Sequence, residues 1–166
     1  MEESKKQDSN IVNPYPQPTL DQIKQYLTEF GWNYTVVDNV EHPYIYAPIM
    51  LYNGKGTVIT FHIEGDFVLV SSVDILRDVA KEYSGVLLEQ NDTLKLVKIF
   101  ATPNENEKEY INADFGFELC YESWNRDTFF VFLDFLCLGI DHVLQELEKK
   151  DIKFETKYIN IVQRDE

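Results

Sequence analysis

The chain has 166 residues, of which 29 are acidic and 15 are basic, so its formal net charge is −14. This length is enough for one domain with its own hydrophobic core. The negative charge repels nucleic-acid phosphates and anionic lipids, and the basic residues are scattered, so we expect neither nucleic acid nor a membrane as a partner. The charge is compatible with a basic or amphipathic partner, although keeping a cytoplasmic protein soluble would also account for it.

The N-terminal residues, MEESKKQDSN, are polar and lack the apolar segment of a secretory signal. The most apolar window, Phe129 to Leu138, is too short to cross a bilayer. We therefore expect a cytoplasmic protein. Residues 1–18, which end in three alternate prolines, predict a flexible or extended arm, and residues 19–152 predict a single α+β domain.

The first helix is well marked at both ends. Thr19 and Gln22 have the spacing of a capping box, and Gly31 is a typical residue to end a helix. Alternating apolar residues and tight turns then predict an antiparallel meander. Its predicted strands are 33–37, 44–52, 57–64 and 67–73.

The central segment has apolar residues at helical spacing. This spacing predicts helices over Asp74–Tyr83 and Asp92–Ala101, with a strand or connector at Val86–Glu89 between them. Strict alternation then resumes from Asn112 to Glu122, which predicts a strand with one buried and one wet face.

The final predicted helix, Thr128–Lys150, is apolar nearly all round in its first half. Either the arm or the C-terminal tail covers its far side, or that side is a homodimer or partner interface. The candidate interface residues are Phe129, Phe132, Leu133 and Leu136. Asp134 lies among them, and it either faces water or a basic partner, or is a buried polar anchor for a partner chain. Residues 153–166 predict an edge strand or a tail.

Together these elements predict an α+β fold, an antiparallel β-meander sheet with helices packed on one face, in the order α-βββ-α(α)-ββ-α. This order resembles the YbjN-type proteins, a family assigned to sensory-transduction regulation, and the type III secretion chaperones of bacteria. The resemblance covers roughly residues 19–150 and rests on the Leu20–Trp32 helix that runs into the meander and on the apolar final helix. It implies an antiparallel sheet with helices on one side, often in a dimer. The secretion chaperones bind other polypeptides and catalyse nothing.

Motifs for chemistry are sparse. The chain has no phosphate-binding loop and no nucleophile elbow, and its three histidines, His42, His62 and His142, are far apart in sequence. We therefore predict no catalytic residues, no metal and no cofactor. The preferred hypothesis is a non-catalytic protein-binding, chaperone-like or regulatory protein that forms a homodimer and engages another polypeptide.

The alternative hypothesis is a small-ligand sensor or enzyme that uses an aromatic pocket between sheet and helices. Its expected lining residues are Tyr26, Trp32, Tyr46, Tyr121 and Trp124, with His62 as the polar group.

Overall fold

The computed structural model describes residues 17–52 and 54–157. Within these described residues, three helices and seven strands follow one another, with short 3₁₀ turns after β5, α2 and β7. Their bounds are α1 Leu20–Phe30, β1 Thr35–Val37, β2 Tyr44–Met50, β3 Gly56–Glu64, β4 Phe67–Ser72, β5 Leu76–Ala80, α2 Ser84–Glu89, β6 Lys98–Thr102, β7 Tyr110–Cys120 and α3 Arg126–Lys149.

The predicted ends of α1 are confirmed. The Thr19 hydroxyl accepts a hydrogen bond from the Gln22 N–H at 3.2 Å, and the Gln22 side-chain oxygen accepts one from the Thr19 N–H at 3.0 Å. Two backbone donors that a helix start leaves unpaired are thus satisfied. Gly31 ends the helix in the left-handed region, with φ of 89°.

All the strands belong to one antiparallel sheet with the order β1-β2-β3-β4-β7. The strands β4 and β5 lie one after the other along one edge of β7, because Ser71 pairs with Gly116 and Leu76 pairs with Ala113. The strand β6 pairs with the opposite edge of β7. The predicted fold class is therefore confirmed.

The helices pack on one face of this sheet, here called the inner face. The ring of Phe117 on β7 lies 5.0 Å from that of Phe132 on α3, and the rings of Phe61 and Phe129 are 6.0 Å apart. Leu87 of α2 belongs to the same buried core. The core thus lies between one sheet face and three helices, as a single hydrophobic layer.

Two predicted helices are wrong. Most of the segment 74–83 is the strand β5, and the end of the segment 92–101 is the strand β6, whereas residues 84–89 form the helix α2. Leu76 and Val79 are both buried on the inner side because the pairing with β7 shifts by one residue between them. A bulge of this kind gives a strand the three-residue apolar spacing of a helix. Positive φ at Asp74 and Asp78 excludes a right-handed helix there.

The predicted wet face of β7 is also partly wrong. Asn112 and Asp114 point away from the inner face, yet they are 3% and 4% exposed. Their side chains bond the backbone of the irregular segment that joins β4 to β5 and continues into β5. Polar residues on the alternate positions of a strand therefore marked a buried junction and not solvent.

The chain after α3 returns to the sheet. Glu155 and Arg77 exchange two backbone hydrogen bonds of 2.9 Å, and the Lys157 N–H donates to the Asp74 carbonyl at 3.1 Å. The rest of the predicted edge strand or tail, residues 158–166, lies outside the described residues, as does most of the predicted arm, residues 1–16.

Candidate functional site

The predicted interface residues of α3 lie in the core of the chain itself. Phe129, Leu133 and Leu136 are 0% exposed, and Phe132 is half-buried against Phe117. Phe129, Leu133 and Leu136 therefore pack within the chain itself, Phe132 is partly accessible, and an interface at these positions stays a prediction. Asp134 is exposed, so it faces water and is not a buried anchor.

The predicted aromatic residues do not line one pocket. Tyr26, Trp32 and Trp124 pack on the inner side, where the Tyr26 and Trp124 rings are 5.4 Å apart and the Trp32 ring is 6.4 Å from Phe61. Tyr46 and His62 lie on the outer face of the sheet, and Tyr121 lies in the 3₁₀ turn after β7. Aromatic composition alone could not separate the two sides of the sheet.

The outer face of the sheet carries a band of half-buried aromatic and apolar side chains. The strand register aligns His62 of β3 with Leu69 of β4, and Leu69 with Glu118 of β7, while Tyr44 of β2 contacts His62 from the other side. The Tyr44 and His62 rings stack at 4.9 Å with an angle of 20° between their planes. Burial lowers the pKa of His62 because it disfavours the charged ring, so the neutral form of this ring is favoured near pH 7.

A cleft of about 350 Å³ continues this band towards β6. Gly116 forms its floor, where a Cβ atom would lie 2.6 Å from the Val70 carbonyl oxygen and 3.1 Å from the Phe100 ring. Lys98 and Glu118 form a salt bridge of 3.6 Å at its rim. The missing side chain at Gly116 thus lets Phe100 pack close to the strands.

We call this band and cleft the open sheet face, defined by Tyr44, Tyr46, His62, Leu69 and Phe100. All five side chains are partly accessible, and the three helices of the described chain pack on the other side of the sheet. Antiparallel sheets commonly leave one face to solvent, but such a face is then mostly polar. An aromatic outer face suits contact with another molecule. In the sequence, the alternation of side chains within the predicted strands 44–52 and 57–73 is the pattern that indicates such a face.

Asp114 is a buried carboxyl group on β7 whose pKa is strongly changed by burial. Its carboxylate accepts hydrogen bonds from the Ser72 hydroxyl at 2.7 Å and from the Asp74 and Ile75 N–H groups at 3.1 Å. Burial raises its pKa to about 6 despite these bonds. These partners lie at the end of β4 and in the segment that joins β4 to β5, so the carboxyl group holds the backbone of that junction.

Two further features of the described residues bear on function. Within residues 17–52 and 54–157, no three His, Cys, Asp or Glu side chains come together in a way that could hold a metal ion. Among the described helices, none combines the length and the apolar character needed to cross a bilayer.

The seven-stranded sheet with helices on one face defines a YbjN-like fold. A search of solved structures finds a match to "Crystal structure of YbjN, a putative transcription regulator from E. coli", with a TM-score of 0.64. The match covers 86% of this chain and 99% of that one, at 17% sequence identity. At this identity the likeness shows the fold alone. No protein-family model and no curated protein sequence matches the chain.

Proposed function

We propose that the chain is a non-catalytic, chaperone-like or regulatory protein that acts in the cytoplasm by binding another polypeptide. The observation that carries the proposal is the open sheet face, where a partly accessible aromatic band and a cleft lie on the side of the sheet opposite the helices. Aromatic side chains with partly exposed rings are enriched where proteins bind proteins.

Charge supports a protein partner over nucleic acid. A chain with a net charge of −14 repels phosphate groups, so a regulatory role would proceed through contact with a protein. YbjN, which has the similar fold, is described as "a putative transcription regulator", and a regulatory role of this kind is compatible with the proposal. The partner that best fits the face has apolar side chains to cover the band and a low or positive charge.

Substitution within the open sheet face tests the proposal. Leu69→Lys places a charge in the centre of the aromatic band, whereas Leu88→Lys changes a side chain of α2 that is 59% exposed and lies outside it. Both variants and the unchanged chain would be used as bait in quantitative affinity purification. We expect specific proteins to be lost with Leu69→Lys and kept with Leu88→Lys. Equal recovery with all three baits would contradict the proposal.

A homodimer is the second arrangement that the open sheet face would support, because two copies could cover each other's bands. Light scattering after size-exclusion chromatography tests this use directly. A dimer that becomes a monomer on Leu69→Lys would assign the face to self-association. If the unchanged chain is a monomer, the open sheet face would instead bind a different polypeptide.

A further inference from the structure

A cavity of about 370 Å³ lies on the helix side of the molecule, away from the open sheet face. It is bounded by the loop that follows α1, by the end of β2 and by one side of α3. The strand β1 pairs with β2 only as far as Tyr46, so the end of β2, from Pro48 to Met50, has no β1 residue paired with it on that edge. The loop Gly31–Asn33 and the helix α3 enclose this uncovered edge.

One carboxylate lies in the cavity. Asp141 is half-buried on α3, and one of its oxygens accepts a hydrogen bond from the Tyr52 N–H at 3.3 Å. Burial raises the pKa of Asp141, which means that its ionised form lacks full solvation. None of the described residues that line the cavity is basic. A bound cation would therefore provide the positive partner that the Asp141 carboxylate does not find among the lining residues.

Two other features of the cavity favour positive charge. The lining residues Gly31 and Trp32 follow directly on the last turn of α1, and the C-terminal end of an eleven-residue helix carries partial negative charge. The indole of Trp32 is half-buried at the wall, and the face of an indole attracts cations.

Most of the other lining side chains are apolar, and the amide of Asn33 is a further polar group. Ile49 and Leu51 are buried, and Met50 is 59% exposed at the mouth. A bare divalent metal requires several oxygen ligands, whereas this lining offers one carboxylate and the amide of Asn33 beside mostly apolar side chains. An alkylated ammonium group suits both the carboxylate and the apolar side chains of the cavity. Its charge would face Asp141, and its carbon atoms would face the apolar wall.

We propose that this cavity binds a small organic cation, an alkyl- or quaternary ammonium compound, with Asp141 as the charge partner and Trp32 as the aromatic wall. This site lies apart from the open sheet face and does not depend on the proposed polypeptide binding.

Titration calorimetry of the full chain tests the site, with choline chloride as the probe. The neutral isostere 3,3-dimethyl-1-butanol serves as the ligand control because it has the same shape without the charge. We expect choline to bind about tenfold more tightly than the isostere. Equal affinity for the two probes, or no heat from choline at millimolar concentration, would overturn the proposal.

Matched carboxylate variants locate the binding. Asp141→Asn keeps an oxygen that can accept from the Tyr52 N–H, and it removes only the charge. Asp134→Asn makes the same change at an exposed position of α3 outside the cavity. We expect choline affinity to fall about tenfold in the first and to stay unchanged in the second. Equal affinity in the two variants would show that choline responds only to the overall negative charge of the chain.

Discussion

Ser72 and Asp114 share a buried hydrogen bond of 2.7 Å at the point where β4 leaves its ladder with β7. The Ser72 hydroxyl also accepts from the Phe115 N–H at 2.9 Å, so two side chains take the place of the missing backbone pairing. Asp114 in turn holds the N–H groups of Asp74 and Ile75. This pair allows a sharply bulged segment to remain part of a regular sheet.

Asp114→Asn should change how stability depends on pH. The pKa of Asp114 is about 6 in the folded chain and about 3.9 in an unfolded one. The folded state therefore holds an extra proton between these values, and stability falls as the pH rises from about 4 to about 6. The loss from this group is about 3 kcal/mol and persists above that range. Asp114→Asn removes this slope.

Urea unfolding followed by tryptophan fluorescence, repeated across that pH range, measures the slope. Asp134→Asn is the control, because Asp134 is exposed and should leave the slope of the unchanged chain in place. If Asp114→Asn and the unchanged chain lose stability in parallel as the pH rises, the raised pKa of Asp114 is wrong.

Gly116→Ala should destabilise the sheet. The added Cβ atom would lie 2.6 Å from the Val70 carbonyl oxygen, and backbone cannot move aside as a flexible side chain can. We expect a loss of about 1 to 3 kcal/mol in the free energy of unfolding. Gly85→Ala in α2 meets nothing within 4 Å and should be neutral or stabilising by up to about 1 kcal/mol. Thermal unfolding of the two variants measures this difference in stability. Equal effects of Gly116→Ala and Gly85→Ala would contradict the close approach at Gly116.

The burial pattern of α3 predicts opposite results for two nearby leucines. Leu136 is 0% exposed and Leu138 is 65% exposed. Leu136→Ala should cost about 2 to 5 kcal/mol of unfolding free energy because it leaves a cavity in the core. Leu138→Ala should stay within about 0.5 kcal/mol of the unchanged chain. Chemical denaturation curves compare them, and a larger loss for Leu138→Ala would mean that the outward side of α3 is buried in an assembly.

Gln22 links α1 to the start of α3. Its side-chain oxygen accepts from the Thr19 N–H at 3.0 Å and from the Trp124 indole N–H at 3.1 Å. Gln22→Ala leaves the indole donor of a residue that is 5% exposed without an acceptor, so we expect a loss of about 1 to 3 kcal/mol. Gln25→Ala alters an exposed glutamine of the same helix and should be nearly neutral. Denaturant midpoints followed by tryptophan fluorescence provide the comparison, and similar losses would contradict this link.

The sequence predicted the elements whose signals are local. The capping box at Thr19, the stop at Gly31 and the alternation of β7 led to the α+β class and the one-sided packing of helices. The sequence pattern did not predict the bulged strand β5, because its shifted register gives Leu76 and Val79 a helical spacing. Such a shift depends on the partner strand, which has no local signature.

The candidate site was predicted less well than the fold. Apolar residues of α3 suggested an interface, but the sheet and α1 are wide enough to bury Phe129, Leu133 and Leu136. The open sheet face arises from the register of four strands, so its members, such as Tyr44 and Leu69, become neighbours only when the sheet forms. Pattern analysis places a residue on a face, and tertiary packing decides what covers it.

The most direct test of the central claim is photo-crosslinking in the cells that produce the protein. A benzophenone amino acid in place of Tyr44 puts the reactive group on the open sheet face, and the same group in place of Gln25 puts it on an exposed position of α1. We predict a discrete crosslinked polypeptide from position 44, identified by mass spectrometry, and none from position 25. No adduct at position 44, or the same adducts at both positions, would contradict polypeptide binding at this face.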